Sequence, residues 1–213
     1  MDGTQHYTPL EEMTNIISHA IGLVLSIVAL LLMLIRASES GDILYIVSAA
    51  IFGVSLIALY AASTLYHSAK DPKVRARLRI NDHATIYILI AGTYTPFTLI
   101  TLNGWVGWTI FGVSWGMALA GVILKLFFTG KYNALSTLMY VLMGWIIIFA
   151  VKPLINSLSP EGIFWLVAGG VSYTTGAVIY SIKKIKFNHA IFHLFVLLGS
   201  ICHFISVYFY VLA

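Results

Sequence analysis

The sequence predicts an all-α membrane protein, a bundle of seven transmembrane helices with the N-terminus in the cytoplasm and the C-terminus extracellular. Two observations on composition support this class: 60% of the 213 residues are hydrophobic and only 9% are charged, whereas soluble domains carry roughly 25% charged residues. The mean hydropathy is +0.92. In addition, the apolar residues form seven runs, each close to the length of about 20 residues that crosses a bilayer.

The seven predicted spans follow one another with short connections, and each rests on an apolar run of at least about 18 residues. Their approximate bounds are 14–35, 43–66, 82–102, 105–127, 134–152, 162–182 and 190–212. The first run is too long for a cleaved signal peptide and no basic segment precedes it, so we expect it to be retained. Residues 1–13 are then a short cytoplasmic tail, and residues 14–213 form a single transmembrane domain.

Lysine and arginine determine the predicted orientation. Of the 12 basic residues, all but Arg36 and Lys152 fall in or beside the second, fourth and sixth connections. Short loops with an excess of Lys and Arg stay in the cytoplasm, which places the N-terminus inside. We attribute the net charge of +4 to this asymmetry and predict no nucleic-acid partner. The lone cysteine, Cys202, excludes a disulfide within the chain.

Polar residues gather at the predicted cytoplasmic ends of four spans. Span one carries a stripe with helical spacing that must face protein rather than lipid: Glu11, Asn15, Ser18, His19 and Gly22. The other spans contribute Ser63 and His67 from span two, Asp82 from span three, and His189 and His193 from span seven. Ionisable groups near lipid are costly, so this clustering favours a functional site.

Three of these histidines suggest a metal site. His189 and His193 are four residues apart, so both rings can reach one ion from the same helix face. His67 arrives at the same depth from another helix and is the natural third ligand. Three histidines with an open fourth position are typical of catalytic zinc, and we predict Zn²⁺ as the cofactor. The spacing alone is a weak signal, because histidines also occur four residues apart by chance.

Several short motifs of the chain match a known family in the same order. They are Glu12, Asn15, Ser18 and His19; Ser63 to His67; Asn81 to His83; Gly92 to Pro96; and His189 to His193, followed by Cys202 to Phe204. In these motifs the chain resembles the hemolysin III family, the bacterial branch of the progestin and adipoQ receptor (adiponectin-receptor-like) proteins, which belong to a wider group of seven-span membrane hydrolases.

The resemblance implies zinc ligands at His67, His189 and His193 and water-positioning residues at Ser63 and Asp82. It also implies an N-terminus inside, in agreement with the distribution of basic residues. The long cytoplasmic domain of the animal receptors has no counterpart in residues 1–13, so we do not expect a role as a hormone receptor.

The chemistry expected of such a site is zinc-dependent hydrolysis of a lipid amide or ester, as in a ceramidase. Zinc lowers the pKa of a bound water to about 7. Asp82 is the expected general base, and Ser63 is expected to hold the water or the developing oxyanion. A site enclosed by helices favours membrane lipids as substrate or ligand, and hence a role in lipid homeostasis in the plasma membrane. The sequence identifies neither an obligate protein partner nor an oligomeric state.

Three other functions stay open on the sequence alone. The zinc could be structural in a non-enzymatic membrane sensor or regulator. The chain could be a hemolysin or pore-forming cytolysin, as the family name suggests, although a conducting pore needs polar residues along the full height of some helices. It could also be a proton-coupled transporter that uses His19, Asp82 and His203.

Structural interpretations compete with the catalytic ones at three positions. His67 could interact with the C-terminal dipole of span two, Asp82 could cap the N-terminus of span three, and Ser63 could bond back to a carbonyl of its own helix. His83, adjacent to Asp82, is expected to meet lipid headgroups.

The remaining polar residues are assigned to the surroundings of the ion, where a side chain can orient a ligand ring, or to an adjacent cavity. They are Asn15, Ser18, His19 and His203. His203 lies ten residues beyond His193, about 15 Å along the helix, which excludes it as a ligand of the same ion.

Overall fold

The computed structural model describes residues 7–129 and 131–213. Within that part all regular secondary structure is helical, and seven segments are long and apolar enough to cross a membrane. The predicted class of an all-α, multi-pass membrane protein is thereby confirmed. The sequence assigns residues 1–13 to a tail. Residues 1–6 of it lie outside the described part, and residues 9–13 belong to the first helix, which begins at Pro9.

Across residues 7–129 and 131–213, eight α-helices build the seven spans. They are α1 (Pro9–Ser38), α2 (Ile43–Ser68), α3 (Pro72–Pro96), α4 (Gly104–Phe128), α5 (Asn133–Gly144), α6 (Val151–Ser157), α7 (Pro160–Ser181) and α8 (Asn188–Ser206). Helices α5 and α6 together form the fifth span, joined by a 3-10 segment over Ile146–Ala150, while π-helical segments extend α3 over Phe97–Leu102 and α8 over Val207–Val211. The main packing pairs are α1 with α2, α2 with α3, α3 with α4 and α7 with α8, and α1 also contacts α8.

The third helix begins ten residues before its predicted start. Asp71 is its N-cap, because the carboxylate accepts hydrogen bonds from the backbone N–H groups of Lys73 and Val74 at 2.8 and 2.9 Å, and Pro72 occupies the first helical turn. The interpretation of Asp82 as an N-cap is therefore wrong: Asp82 lies in the interior of α3. A search for apolar runs missed this start because the first turns of the helix are basic.

The fifth span is broken by a tyrosine from α3. The hydroxyl of Tyr94 donates to the carbonyl of Gly144 at 2.7 Å and accepts from the backbone N–H of Ile147 at 3.2 Å. A side chain inserted into the backbone hydrogen-bond ladder interrupts a helix, and α5 ends at Gly144 for this reason.

The third span changes from α-helix to π-helix directly after Pro96, and a threonine hydroxyl bonds to two backbone carbonyls at this point. Pro96 cannot donate a backbone hydrogen bond. The hydroxyl of Thr98 donates to the carbonyls of Tyr94 and Thr95, each at 3.0 Å. A Cβ added at Gly92 would lie 2.2 Å from Ser55 Oγ on α2. Close packing of α3 against α2 therefore accounts for the glycine at this position.

Candidate metal centre

Three histidines from two helices converge at one end of the bundle. His67 comes from the last turns of α2, and His189 and His193 come from the first turns of α8; all three are buried. Each offers one ring nitrogen, and these nitrogens lie within 4.8 Å of one another. His67 Nε2 and His189 Nε2 are 3.1 Å apart. Tetrahedral zinc with Zn–N bonds of about 2.0–2.1 Å requires nitrogens about 3.3 Å apart, so this donor set fits the ion.

The protonation of His67 is set by a carboxylate on α1. His67 Nδ1 lies 2.7 Å from Glu12 Oε2, and because a carboxylate only accepts, Nδ1 carries the proton. The lone pair of Nε2 is then directed at His189. This carboxylate–histidine arrangement recurs at metal sites, where it fixes the tautomer and orientation of the ligand ring.

Glu12 is itself held by an arginine on α3. Arg75 forms an ion pair with Glu12 Oε1, and its guanidinium also donates to the backbone carbonyls of His67 at 3.5 Å and Ala69 at 3.4 Å. The guanidinium carbon lies 4.7 Å from the centroid of the Tyr66 ring. Arg75 therefore ties the end of α2 to α1 and α3. His67 lies in the last turn of α2, as its interpretation as a dipole cap requires, and its ring also contacts Glu12 and His189.

The sequence motif contained Glu12 but gave it no role. Asn15, one turn further along α1, approaches both Glu12 Oε2 and His67 Nδ1 at 3.5 Å. The predicted stripe included Glu11 instead, but within the described residues the carboxylate that pairs with His67 is that of Glu12. The spacing of three residues between Glu12 and Asn15, which places both on one helix face, was the available signal.

Asp82 and Ser63 lie beside the histidine cluster. Asp82 is buried, with 8% of its surface exposed, and Ser63 Oγ faces its carboxylate without meeting the geometry of a hydrogen bond. The hydroxyl of the neighbouring Thr64 donates to the carbonyl of Tyr60 at 2.7 Å. In the described part of the chain Ser63 makes no such bond, so its interpretation as a residue bonded within its own helix is wrong. Its hydroxyl is available for a ligand.

His83 is directed into the protein and not towards lipid headgroups, contrary to the sequence-based expectation. Its Nε2 lies 3.9 Å from Asp82 Oδ2, its backbone carbonyl accepts from the hydroxyl of Tyr140 at 3.0 Å, and its ring lines an internal cavity. The expectation failed because it placed the boundary of the third span at residue 82, whereas the helix has already run for three turns there.

His19 contacts the metal centre through the face of its ring. It stacks on His193 with ring centroids 3.5 Å apart and planes at 11°, and neither of its nitrogens has a hydrogen-bond partner in the described residues. It therefore supports the orientation of His193 by packing. Ser18, one position earlier, donates to the carbonyl of Asn15 at 3.1 Å.

Two tyrosines that the sequence did not single out enclose the cluster. The ring of Tyr7 stacks on His189 at a centroid distance of 4.9 Å and lies 5.7 Å from His67. Tyr180 of α7 packs against His189 at 5.4 Å. Burial raises the pKa of the Tyr7 phenol, so this side chain is neutral at physiological pH. An aromatic residue before the first apolar run carries no sequence signal for this contact.

A cavity of about 360 Å³ extends from the histidines through the bundle. Its lining includes Asp82, His189 and His193 at one end and His203 deeper in the protein, where His203 Nε2 lies 3.1 Å from the carbonyl oxygen of Leu166. Most of the wall is apolar, formed by residues such as Leu89, Ile90, Phe97, Ile148, Ile163 and Val196. Cavities of this size and character hold small apolar ligands.

Comparison with known proteins agrees with these features. A family model described as haemolysin-III related matches residues 7–204. Hemolysin-3 of Bacillus cereus is 50% identical over 202 residues, covering 95% of this chain and 92% of the relative. The hemolysin-3 homolog of Bacillus subtilis (strain 168) is 48% identical over 204 residues, covering 96% of each. The human monocyte to macrophage differentiation factor is 30% identical over 215 residues, covering 98% and 88%.

Proposed function

The chain belongs to the haemolysin-III related family of membrane proteins, and we propose that it uses its histidine cluster to hold Zn²⁺ and hydrolyse lipid amide or ester bonds in the plasma membrane. Such an activity would serve membrane lipid homeostasis. The observation that carries the proposal is the meeting of three converging ring nitrogens, a buried carboxylate and an apolar cavity at one end of the bundle.

His67, His189 and His193 would hold the zinc. When bound, the ion supplies Lewis acidity that makes water nucleophilic at neutral pH. Glu12 keeps the proton of His67 on Nδ1 and leaves Nε2 as the donor. His19 packs against the ring of His193 and limits its rotation.

Asp82 and Ser63 would perform the proton transfer and charge stabilisation. A carboxylate oxygen of Asp82 accepts the proton of the attacking water and delivers it to the leaving amine or alcohol. The hydroxyl of Ser63, without a hydrogen-bond partner in the described structure, donates to the oxyanion that develops on the scissile carbonyl.

The cavity explains why a lipid is the proposed substrate. Its apolar wall would suit an acyl chain, and the polar linkage of that lipid would then lie at the end lined by Asp82 and His193. Water is poorly retained in an apolar enclosure, which strengthens the electrostatic interactions of the site.

The names of the two Bacillus relatives, both hemolysin-3 proteins, favour membrane lysis as a second candidate function. The apolar lining of the cavity differs from the polar wall that a conducting pore requires, and this supports hydrolysis over lysis. Release of a dye from liposomes containing the purified protein measures the second function separately.

Metal content and turnover of the detergent-purified protein test the proposal. We expect about one zinc per chain in the wild type and in Asp82→Asn, and loss of zinc in His67→Ala and His193→Ala. With ceramide-like and ester lipids, Asp82→Asn should lose at least about 10²-fold in turnover, whereas Asp71→Asn, the same change at the N-cap of α3 where Asn also caps well, should retain it. Equal zinc in the wild type, His67→Ala and His193→Ala would refute the site, and a zinc-loaded wild type that cleaves neither lipid class would refute the hydrolase.

A further inference from the structure

Lys125 is a buried cation in a membrane-spanning helix. It lies in the last turn of α4 and is 4% exposed. Its Nζ donates to Ser136 Oγ at 2.6 Å and lies 5.9 Å from the centroid of the Tyr140 ring. Among the described residues, no carboxylate lies within ion-pair distance of Nζ. A buried ammonium group with only neutral partners is costly, and an ionisable residue inside a span marks a functional site.

The surroundings of Lys125 do not neutralise its charge. The charged side chain that acts on it most strongly is Arg79, which is also positive. A lysine near a helix C-terminus gains from the helix dipole, but that partial charge is available to an exposed lysine as well and does not require burial. Lys125 is instead one of the residues that line the cavity.

The same cavity connects Lys125 to the metal centre. Tyr140, whose ring lies near Nζ, donates to the carbonyl of His83, and His83 adjoins Asp82. Lys125, Asp82 and His193 all line this one enclosure. An ammonium group has three donors, and among the described residues Ser136 accepts from one of them, which leaves two for the oxygens of an anion in this part of the chain.

We propose that Lys125 binds the anionic group, a carboxylate or a phosphate, of a lipid whose acyl chain lies in the cavity. A fatty acid and a phospholipid share this chemistry and are the two possible sources. The inference deepens the proposed function, because it rests on a lipid occupying the same cavity, but binding at Lys125 requires neither the metal nor turnover.

Fluorescence quenching by brominated lipids tests the inference on metal-free, detergent-purified protein. Trp145 lines the cavity, so a brominated lipid bound there should quench its fluorescence. The Trp145→Phe variant gives the background signal of the other tryptophans. The probes are 9,10-dibromostearate, its uncharged methyl ester, and a lysophosphatidate with the same brominated chain. The variants are Lys125→Met, Lys125→Arg and, as a matched control, Lys131→Met, which removes an exposed lysine.

We expect Lys125→Met to weaken binding of at least one anionic probe by about tenfold or more, the usual effect of losing hydrogen bonds to a charged group. Binding of the methyl ester should not change, Lys125→Arg should retain most of the affinity, and Lys131→Met should behave as wild type. The stronger anionic probe then identifies the source as carboxylate or phosphate.

Two outcomes would overturn the inference. Unchanged binding of both anionic probes by Lys125→Met would show that the charge has no role in recognition. An equal loss of all three probes, with a lowered unfolding temperature that Lys125→Arg restores, would show a structural role only. Failure of hydrolysis with intact anion binding would refute the proposed function and leave this site standing.

Discussion

At the residue scale, Glu12 connects the first helix to the metal centre through one carboxylate. One oxygen fixes the tautomer of His67 and the other pairs with Arg75. Because Arg75 is held at the same time by the carbonyls at the end of α2, the carboxylate has little freedom to rotate. A metal ligand oriented in this way pays less conformational entropy when the ion binds.

We predict that Glu12→Gln lowers zinc affinity by about 10- to 100-fold, the usual effect of losing such a partner. The amide keeps the size of the side chain but lacks the charge that favours a proton on Nδ1. Competition with a chromophoric zinc chelator measures the change. Glu11→Gln is the matched control and should bind zinc as the wild type does; equal affinities for Glu12→Gln and wild type would show that His67 is positioned without Glu12.

The three candidate metal ligands could be proposed from the sequence, whereas the residues that support them could not. The spacing of His189 and His193 and the shared depth of His67 depend on helix periodicity and span counting, which a sequence displays. The contacts of Glu12 and Tyr7 depend on the axial position of α1 relative to α2 and α8. This axial position is determined by side-chain packing between the helices, and no local pattern in the sequence indicates it.

At the scale of elements, Gly107 allows α4 to contact the backbone of the third span directly. A Cβ added at Gly107 would lie 2.0 Å from the carbonyl oxygen of Thr98, whereas one added at Gly112 on the same helix would meet nothing within 4 Å. Small residues at helix interfaces in membranes permit such close approach.

We expect Gly107→Ala to destabilise the protein by about 1–3 kcal/mol, because a backbone carbonyl cannot move aside as a flexible side chain can. Gly112→Ala should be neutral or slightly stabilising, since alanine favours the helix. Thermal unfolding of the purified variants in one detergent measures both. A similar unfolding temperature for the two would mean that the contact with Thr98 relaxes without cost.

Helix ends and breaks show where hydropathy loses its predictive power. The predicted bounds of most spans lie within a few residues of the observed ones, but the start of α3 depends on the capping signal of Asp71 and Pro72 rather than on an apolar run. The break in the fifth span depends on Tyr94, a residue about 50 positions earlier in the chain. A sequence window over 134–157 does not contain that residue.

At the scale of the whole molecule, the distribution of basic residues predicts a cytoplasmic N-terminus and an extracellular C-terminus. Fusions after Ala213 test this orientation. Alkaline phosphatase, which folds only outside the cytoplasm, should be active there, and green fluorescent protein should be dark. Both fusions placed in the connection between α7 and α8 should give the opposite result, and a fluorescent C-terminal fusion would contradict the orientation.

The fold class was predictable because composition and the length of apolar runs directly indicate whether a chain is surrounded by water or by lipid. A chain with 60% hydrophobic and 9% charged residues cannot hide its apolar surface in a water-soluble globule of this size. The cavity was not predictable at this level of detail, because its volume depends on which side chains of α3, α5, α7 and α8 fail to fill the space between them.

The placement of the histidines along the chain determines when the centre is completed during biogenesis. His67 precedes His189 by 122 residues, and helices leave the ribosome and enter the translocon from the N-terminus onward. Until α8 has inserted, His67 and Glu12 lie in an incomplete bundle that lacks His189 and His193. An ion held by all three imidazoles is therefore captured last, so that a loaded chain is one whose insertion has reached its end.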